Sequence, residues 1–401
     1  MLGVLFVVVH VVLSLLNVFD TTHNPAGDVT GVYRFWIDYW HRTGVLVGID
    51  TAWVYPIAAL PPMLLASVLG SGAYLWTWLA MVTLLDAVVV VLLVRRRESL
   101  AWWWVAFTAL LGPVALSRID AVALPLAIAA VLQIATRPRA AAVLLTVAAW
   151  VKVWPAAMVA AMLVVLKRPA GIVAGAAVTS AAIIGVALLA GARGTVFSFV
   201  TAQADRGLQV EAPVAVPWLW SAALGDGGVQ VYYDTGILTY QLRGGGVADV
   251  AAAMTPVLAV GVLAVVGLAV AARLRGAEPV LLLAVTSLGL VSAIIALNKV
   301  GSPQYLTWYV APILLGLLTD RRRFWPVAIA ALVAAGLTQL IYPWFYGAVI
   351  GTEAWAIGLL TVRNAIQIGL LVWCLVALAV LRPPAVLRTG ALPVQDTAVR
   401  G

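Results

Sequence analysis

The sequence predicts an all-α protein that crosses a membrane many times. Hydrophobic residues make up 64% of its 401 residues and charged residues only 10%, whereas a soluble domain carries about 25% charged residues. About twelve apolar runs follow one another, and no Gly/Ser-rich linker or charged block interrupts them. These observations predict one integral membrane domain over residues 1–382, followed by a disordered cytoplasmic tail at 383–401.

The apolar runs define the predicted helices. A helix that spans a membrane needs about 20 apolar residues, and fewer where protein surrounds it. The first run has no basic segment before it and no cleavage pattern, so we expect it to be a retained helix rather than a signal peptide. The runs cover residues 3–19, 73–94, 100–117, 120–135, 139–151, 155–166, 170–191, 249–273, 279–297, 303–319, 324–341 and 360–381.

Basic clusters predict how these helices are oriented, because Lys and Arg accumulate in cytoplasmic loops. With the N-terminus inside, every cluster lies inside if residues 55–69 form a short interfacial helix and do not span. Three prolines in that segment favour this interpretation, since a spanning helix tolerates proline poorly without partners. The runs 139–151 and 155–166 then form a hairpin whose tip, at Lys152, faces outside. The clusters lie at residues 95–97, 137–139, 167–168, 273–275, 321–323 and 382.

The opposite face collects most of the polar loops. Four positive charges on that face run against the cytoplasmic preference of Lys and Arg, and an anionic ligand there would explain them. These residues are Arg118, Lys152, Arg206 and Lys299.

The first outer loop contains the candidate catalytic base. Asp28 lies just beyond the first helix, in a loop that also holds two of the three histidines. A carboxylate in this place can act as a general base that takes a proton from an attacking hydroxyl. The alternative is that Asp28 caps a short surface helix that starts near Val29. We expect the other carboxylates of the loop to be solvated or to cap helices; these are Asp20, Asp38 and Asp50.

Each remaining candidate has a structural alternative. Arg118 could meet a phosphate while Asp120 orients it, because a guanidinium matches phosphate oxygens, or the two could form a structural ion pair. A charge at the centre of a membrane costs about 2.5–3.5 kcal/mol on insertion scales. Lys152 would therefore either reach the interface by snorkelling or meet a lipid phosphate or an internal carboxylate.

Two further polar segments face the same side. Residues 205–211 form either an ordinary exposed loop or one wall of a cavity. Ser302 and Pro303 suit the first turn of a helix. This structural interpretation gives no reason for the positive charge of Lys299. With three scattered histidines and the single Cys374, the sequence predicts no metal site, no disulfide and no cofactor.

Several short motifs, taken in order, resemble a known family. They are Asp28-Val29, Val32-Tyr33-Arg34, Trp53-Val54-Tyr55-Pro56, Arg118-Ile119-Asp120, Lys152 with Pro155, Arg206-Gly207-Leu208-Gln209 with Glu211, and Ser302-Pro303-Gln304-Tyr305. Between residue 28 and about residue 312 the chain resembles glycosyltransferase family 87 of the GT-C superfamily. That family contains polyprenyl-phosphate-mannose-dependent α-mannosyltransferases, including the one that extends phosphatidylinositol mannosides in actinobacteria.

The resemblance implies a GT-C fold in the plasma membrane with a cavity on the extracytoplasmic side. Asp28 would be the catalytic base, and transfer of mannose from a polyprenyl monophosphate to a glycolipid or cell-envelope glycan would invert the anomeric centre. Some of Arg118, Lys152, Arg206 and Lys299 would hold the donor phosphate. The expected substrate-binding residues are Tyr33, Tyr55, Asp120, Gln209, Glu211 and Gln304.

The sequence also departs from the family pattern. Position 57 is Ile where the family usually has a second proline, and no histidine follows His41 to serve as a late-loop active-site histidine. One alternative function is a transporter or flippase of lipid-linked sugars, although the internal repeats common in such folds are not apparent. Another is a non-catalytic partner that binds sugar-lipids.

Overall fold

The computed structural model describes residues 1–202, 206–225 and 227–382, and most of them are helical. This confirms the predicted fold class. The predicted tail at 383–401 and Asp205 of the polar loop lie outside the described residues. The α-helices are α1 Leu2–Phe19, α2 Arg34–Thr43, α3 Leu60–Ala66, α4 Tyr74–Arg96, α5 Glu98–Leu111, α6 Asp120–Val131, α7 Pro138–Val151, α8 Ala156–Val165, α9 Pro169–Leu189, α10 Ser198–Thr201, α11 Val216–Ala223, α12 Val247–Leu274, α13 Pro279–Ala296, α14 Val310–Thr319, α15 Arg321–Gln339, α16 Tyr346–Ile350 and α17 Ala354–Val380.

Seven helices of the described chain are long and apolar enough to cross a membrane: α1, α4, α9, α12, α13, α15 and α17. The other five predicted runs also form helices, but α5, α6, α7, α8 and α14 have only 10–14 residues. The chain is thus polytopic, while the expected count of about twelve spans is not confirmed. Residues 55–69, which we expected to lie along the interface, contain a similarly short helix, Ile57–Ala66.

Glycine and proline set the ends of the short helices. Gly112, whose φ is +74°, ends α5, and prolines stand at the start of α7 and of the 3-10 helix Pro303–Tyr309 that leads into α14. Proline suits a first helical turn because its missing N–H has no partner there. Short helices leave irregular backbone between them, which membrane proteins tolerate where it lines a cavity or is buried in protein.

The core is centred on α13, the most buried of the seven long helices. It packs against α8, α12, α14 and α17. A Cβ added at Gly289 would lie 3.1 Å from Val265 of α12 and 3.3 Å from Cys374 of α17. Small residues at such crossings let helices approach closely, which is how membrane helices gain packing contacts without a large hydrophobic driving force.

A second, smaller hydrophobic cluster includes the first turns of α12 and α17. It combines residues 208–219 and 242–251 with residues 341–360. It includes a β-hairpin that the sequence analysis did not anticipate, in which β1 Gln230–Asp234 pairs antiparallel with β2 Thr239–Arg243. The hairpin extends to the neighbouring segment, because Leu242 N donates to Leu208 O at 2.9 Å and Val210 N donates to Tyr240 O at 3.2 Å.

Candidate active site

The site begins where the chain leaves α1. After a turn at residues 20–27, a short π-helix runs from Asp28 to Tyr33 and continues directly into α2. Gly27 is the N-cap, and no side chain caps this helix. The alternative role of Asp28 as a capping residue therefore receives no support, and its carboxylate, which is 35% exposed, is available to a cavity.

This cavity has two lobes that meet at Asp28. The larger lobe has a volume of about 490 Å³ and the smaller about 250 Å³. The larger opens among loop residues and tyrosines, and the smaller lies between the α7–α8 turn and the hairpin. Six residues belong to the lining of both lobes and form the wall between them: Asp28, Val32, Leu238, Thr239, Ser302 and Gln304.

Arg118 lies beside the Asp28 carboxylate and, like it, lines the larger lobe. Its Nε lies 3.3 Å from Asp28 Oδ2. Its Nη1 donates to the carbonyls of Pro25 and Ser117 at 2.8 Å, and its Nη2 donates to the Tyr342 hydroxyl at 2.9 Å. Burial alone would lower the pKa of Arg118, but Asp28 together with Tyr342 and Tyr33 outweighs this effect, and the pKa lies above its usual value. The guanidinium is thus buried and engaged by protein groups on every nitrogen.

Asp120 and Lys152 face each other across the α6 and α7 ends. Asp120 is fully buried; its Oδ1 accepts from Trp308 Nε1 at 2.6 Å, and its Oδ2 lies 4.0 Å from Lys152 Nζ. The Lys152 ammonium also sits 4.5 Å from the centre of the Tyr55 ring. Burial lowers the pKa of Lys152, and Asp120 partly opposes that shift. At 4.0 Å this ion pair is loose, so the ammonium keeps hydrogen-bonding capacity toward the smaller lobe that it lines.

Arg206 is the second cation of the smaller lobe. Its Nε is buried and has no hydrogen-bond partner within the described part of the chain. An arginine with an unmet donor costs free energy unless a ligand supplies an acceptor. Lys152 and Arg206 together give this lobe a positive wall beside the aromatic side chains of Trp36, Tyr55 and Tyr305.

Glu211 lines the larger lobe but is committed to an ion pair. Its Oε2 lies 2.9 Å from Arg363 Nη1, and its carbonyl accepts from Arg363 Nη2 at 2.8 Å. Burial raises the pKa of Glu211, with Arg363 opposing the shift. A Cβ at Gly301 would overlap the backbone of Glu211 and Ala212, so only glycine lets these two loops touch here.

The structure places the remaining predicted residues as follows. Tyr55, Gln209 and Gln304 line the smaller lobe, and Gln304 also lines the larger. Tyr33 lines neither lobe; it is fully buried, and its hydroxyl accepts from Ile119 N at 3.2 Å. Lys299 lines neither lobe, but its carbonyl accepts from Gln209 N at 3.0 Å. Most of the predicted set therefore converges on one cavity.

Two features of the site were not predicted from the sequence. Arg363 lies inside the apolar run 360–381, and a charge at that position in a spanning helix is itself a signal of function or of a buried partner. The hairpin, whose residues line both lobes, carries Val231, Tyr232, Tyr233 and Tyr240 around an Asp-Thr-Gly turn, and such residues beside a turn are typical of strands. Within the described residues no group of three His, Cys, Asp or Glu side chains could hold a metal ion.

Comparison with known proteins adds one match. The family model of glycosyltransferase family 87 matches residues 53–297, more than half of the 401 residues. No curated protein and no solved structure matches the chain. The matched region includes Arg118, Lys152, Arg206 and Glu211, whereas Asp28 lies before it.

Proposed function

Because the chain belongs to glycosyltransferase family 87, and is therefore a membrane glycosyltransferase, we propose a specific reaction for it. It moves mannose from a polyprenyl monophosphate to a glycolipid or cell-envelope glycan, with inversion and with Asp28 as the general base. The observation that carries this proposal is the position of Asp28 on the wall shared by two lobes of unlike character. Two substrates that occupy separate lobes can both reach that carboxylate.

The smaller lobe suits the donor phosphate. Lys152 and Arg206 line it, and Arg206 Nε is a buried donor with no partner among the residues that the structure describes. Cations fixed near a low-dielectric boundary stabilise the charge that grows on a leaving phosphate as its bond to the sugar breaks. The polyprenyl chain would extend from this lobe between helices into the lipid.

The larger lobe suits the acceptor. Four tyrosines line it, Tyr233, Tyr240, Tyr342 and Tyr346, and their rings form a chain of contacts with centres 4.9–5.8 Å apart. Aromatic rings present apolar faces to sugars while their hydroxyls remain available for hydrogen bonds. The extracytoplasmic position of this lobe, at the plasma membrane, is part of the proposal and follows from the basic clusters at the other end of the helices.

The proposed step is a single displacement. The acceptor hydroxyl oxygen attacks the anomeric carbon, the bond from that carbon to the phosphate oxygen breaks, and the electron pair leaves with polyprenyl phosphate. The hydroxyl proton passes to Asp28. Arg118 contacts Asp28 and not the lobe with the two cations, so its role in this scheme is to position the carboxylate.

The test compares the wild type with Asp28→Asn in lipid vesicles that contain radiolabelled mannosyl polyprenyl phosphate and a membrane glycolipid extract. We expect Asp28→Asn to lower transfer about 10²–10⁴-fold, the usual contribution of a general base, while donor binding persists. Release of free polyprenyl phosphate separates a transferase from a flippase, which would move the donor intact.

Asp38→Asn is the matched control, because Asp38 lies in the following helix, outside the cavity, and accepts from Ser71 at 2.8 Å. It should retain wild-type transfer. Equal transfer by Asp28→Asn and the wild type would leave a transferase but remove Asp28 as its base.

A further inference from the structure

The tip of the hairpin, residues 235–238 between β1 and β2, reaches the wall that the two lobes share. Gly236 and Ile237 line the smaller lobe, and Leu238 lines both. Leu238 is 56% exposed, although it is a large apolar side chain. An exposed leucine is ordinary by itself, but one that borders both lobes of a cavity beside Asp28 needs a closer account.

The backbone of Leu238 is held in an unusual conformation. Its φ is +54°, a region that bulky residues rarely adopt and keep only where the surroundings impose it. Asp234 holds the turn on both sides of Leu238: Oδ1 accepts from Gly236 N at 2.9 Å and Ile237 N at 3.3 Å, and Oδ2 accepts from Gln241 Nε2 at 2.8 Å. The turn therefore directs an apolar side chain to the cavity at some energetic cost.

The tip is also anchored to the wall of the smaller lobe. Gln241, which binds Asp234, packs so closely against Gly207 that a Cβ there would overlap its side-chain amide. Gly207 follows Arg206, which lines the smaller lobe. The apolar tip thus stands in a defined place relative to the proposed phosphate site.

A transferase with an outward-opening cavity must suppress a side reaction. Water can replace the acceptor: its oxygen attacks the anomeric carbon, the bond to the phosphate oxygen breaks, the electron pair leaves with polyprenyl phosphate, and the proton of the water passes to Asp28. Enzymes that handle reactive donors limit such hydrolysis by excluding water from the reacting centre. An apolar side chain at the shared wall can exclude water there without forming hydrogen bonds to either substrate.

We propose that Leu238, with Ile237 beside it, determines reaction specificity by keeping water from the wall where donor, acceptor and Asp28 meet. The bound donor is then consumed by the acceptor hydroxyl and not by hydrolysis. This inference rests on the proposed transferase function.

The experiment uses the full-length protein in lipid vesicles with radiolabelled mannosyl polyprenyl phosphate, with and without the glycolipid extract, and measures label in free mannose and in glycolipid. Leu238→Ala and Leu238→Gly remove the side chain, and the glycine variant also relieves the positive φ, which protects the fold. Leu224→Ala is the matched control, since Leu224 is 80% exposed but lines neither lobe.

Both Leu238 variants should raise the ratio of free to transferred mannose about tenfold, and Leu224→Ala should not change it. An unchanged ratio with transfer retained would overturn the inference and leave the transferase standing. Loss of both reactions in a variant with wild-type thermal unfolding would show that the tip binds substrate, which also overturns it. If the wild type consumes no donor, the proposed function fails and the inference fails with it.

Discussion

At the scale of residues, four cations that the sequence predicts on one face, Arg118, Lys152, Arg206 and Lys299, looked alike in sequence but differ in their surroundings. Arg118 is engaged by groups far away in the chain, at sequence separations of 93 and 224 residues. Local sequence cannot reveal such partners, so Arg118 appeared equivalent to Lys152 and Arg206. Lys152 and Arg206 line the smaller lobe. Their side chains are therefore the ones that a donor phosphate in that lobe would contact.

The lowered pKa of Lys152 predicts how donor binding depends on pH. The ammonium attracts a phosphate only while protonated, so donor affinity should fall as pH rises past this lowered pKa, by up to about tenfold per pH unit. Lys152→Arg stays charged over the same range and should give a flatter profile. Equilibrium binding of radiolabelled donor between neutral and alkaline pH measures both slopes.

Lys167→Arg is the control for this measurement, because Lys167 lies between α8 and α9 and lines neither lobe. It should keep the wild-type slope. Parallel profiles for the wild type and Lys152→Arg would argue that Lys152 does not contact the phosphate.

At the scale of elements, hydropathy predicted where helices form but not how long they are. All twelve apolar runs became helices because burying backbone polar groups in a membrane requires it. Their lengths depend on turns such as Gly112 and on neighbouring helices that replace lipid, which no single run records. The hairpin was missed because its signal is short, and Arg363 because the hydrophobicity of α17 masks one charge. The location of the site was predictable from misplaced charges, whereas its division into two lobes depends on loops folding together.

The Glu211–Arg363 pair predicts strong coupling between α17 and the loop that carries Arg206 and Gln209. Arg363→Met leaves a buried carboxylate without a partner and should cost about 3–5 kcal/mol of the unfolding free energy. The double variant Glu211→Gln/Arg363→Met removes both charges and should cost less than the sum of the single changes. Unfolding in detergent, followed for the wild type and all three variants, measures the coupling. Strictly additive effects would mean that the pair contributes no interaction energy.

At the scale of the whole molecule, the basic clusters and the cavity lie at opposite ends of the helices. The hairpin and the loops around Asp28 form one end, and basic segments such as 95–97 and 321–323 lie at the other, where α4 ends and α15 begins. This arrangement predicts an extracytoplasmic cavity, since Lys and Arg mark the cytoplasmic ends. The family match covers α3 to α13 but not the segment that holds Asp28, so the proposed base depends on geometry and on the resemblance of its motif.

Labelling of introduced cysteines tests the orientation in intact cells. Thr235→Cys, at the exposed hairpin tip, should react with a membrane-impermeant thiol reagent, and Arg322→Cys, exposed at the start of α15, should react only after lysis. The natural Cys374 is buried and serves as a low background. The reverse labelling pattern would place the cavity in the cytoplasm.

The small number of residues shared by the two lobes has a consequence for how the substrate specificity of this protein can change. Six residues belong to both lobes, and all the others line only one. If the lobes bind acceptor and donor as proposed, substitutions at residues that line only one lobe should alter recognition of one substrate more than of the other. Specificity for the acceptor could then change while the donor stays the same.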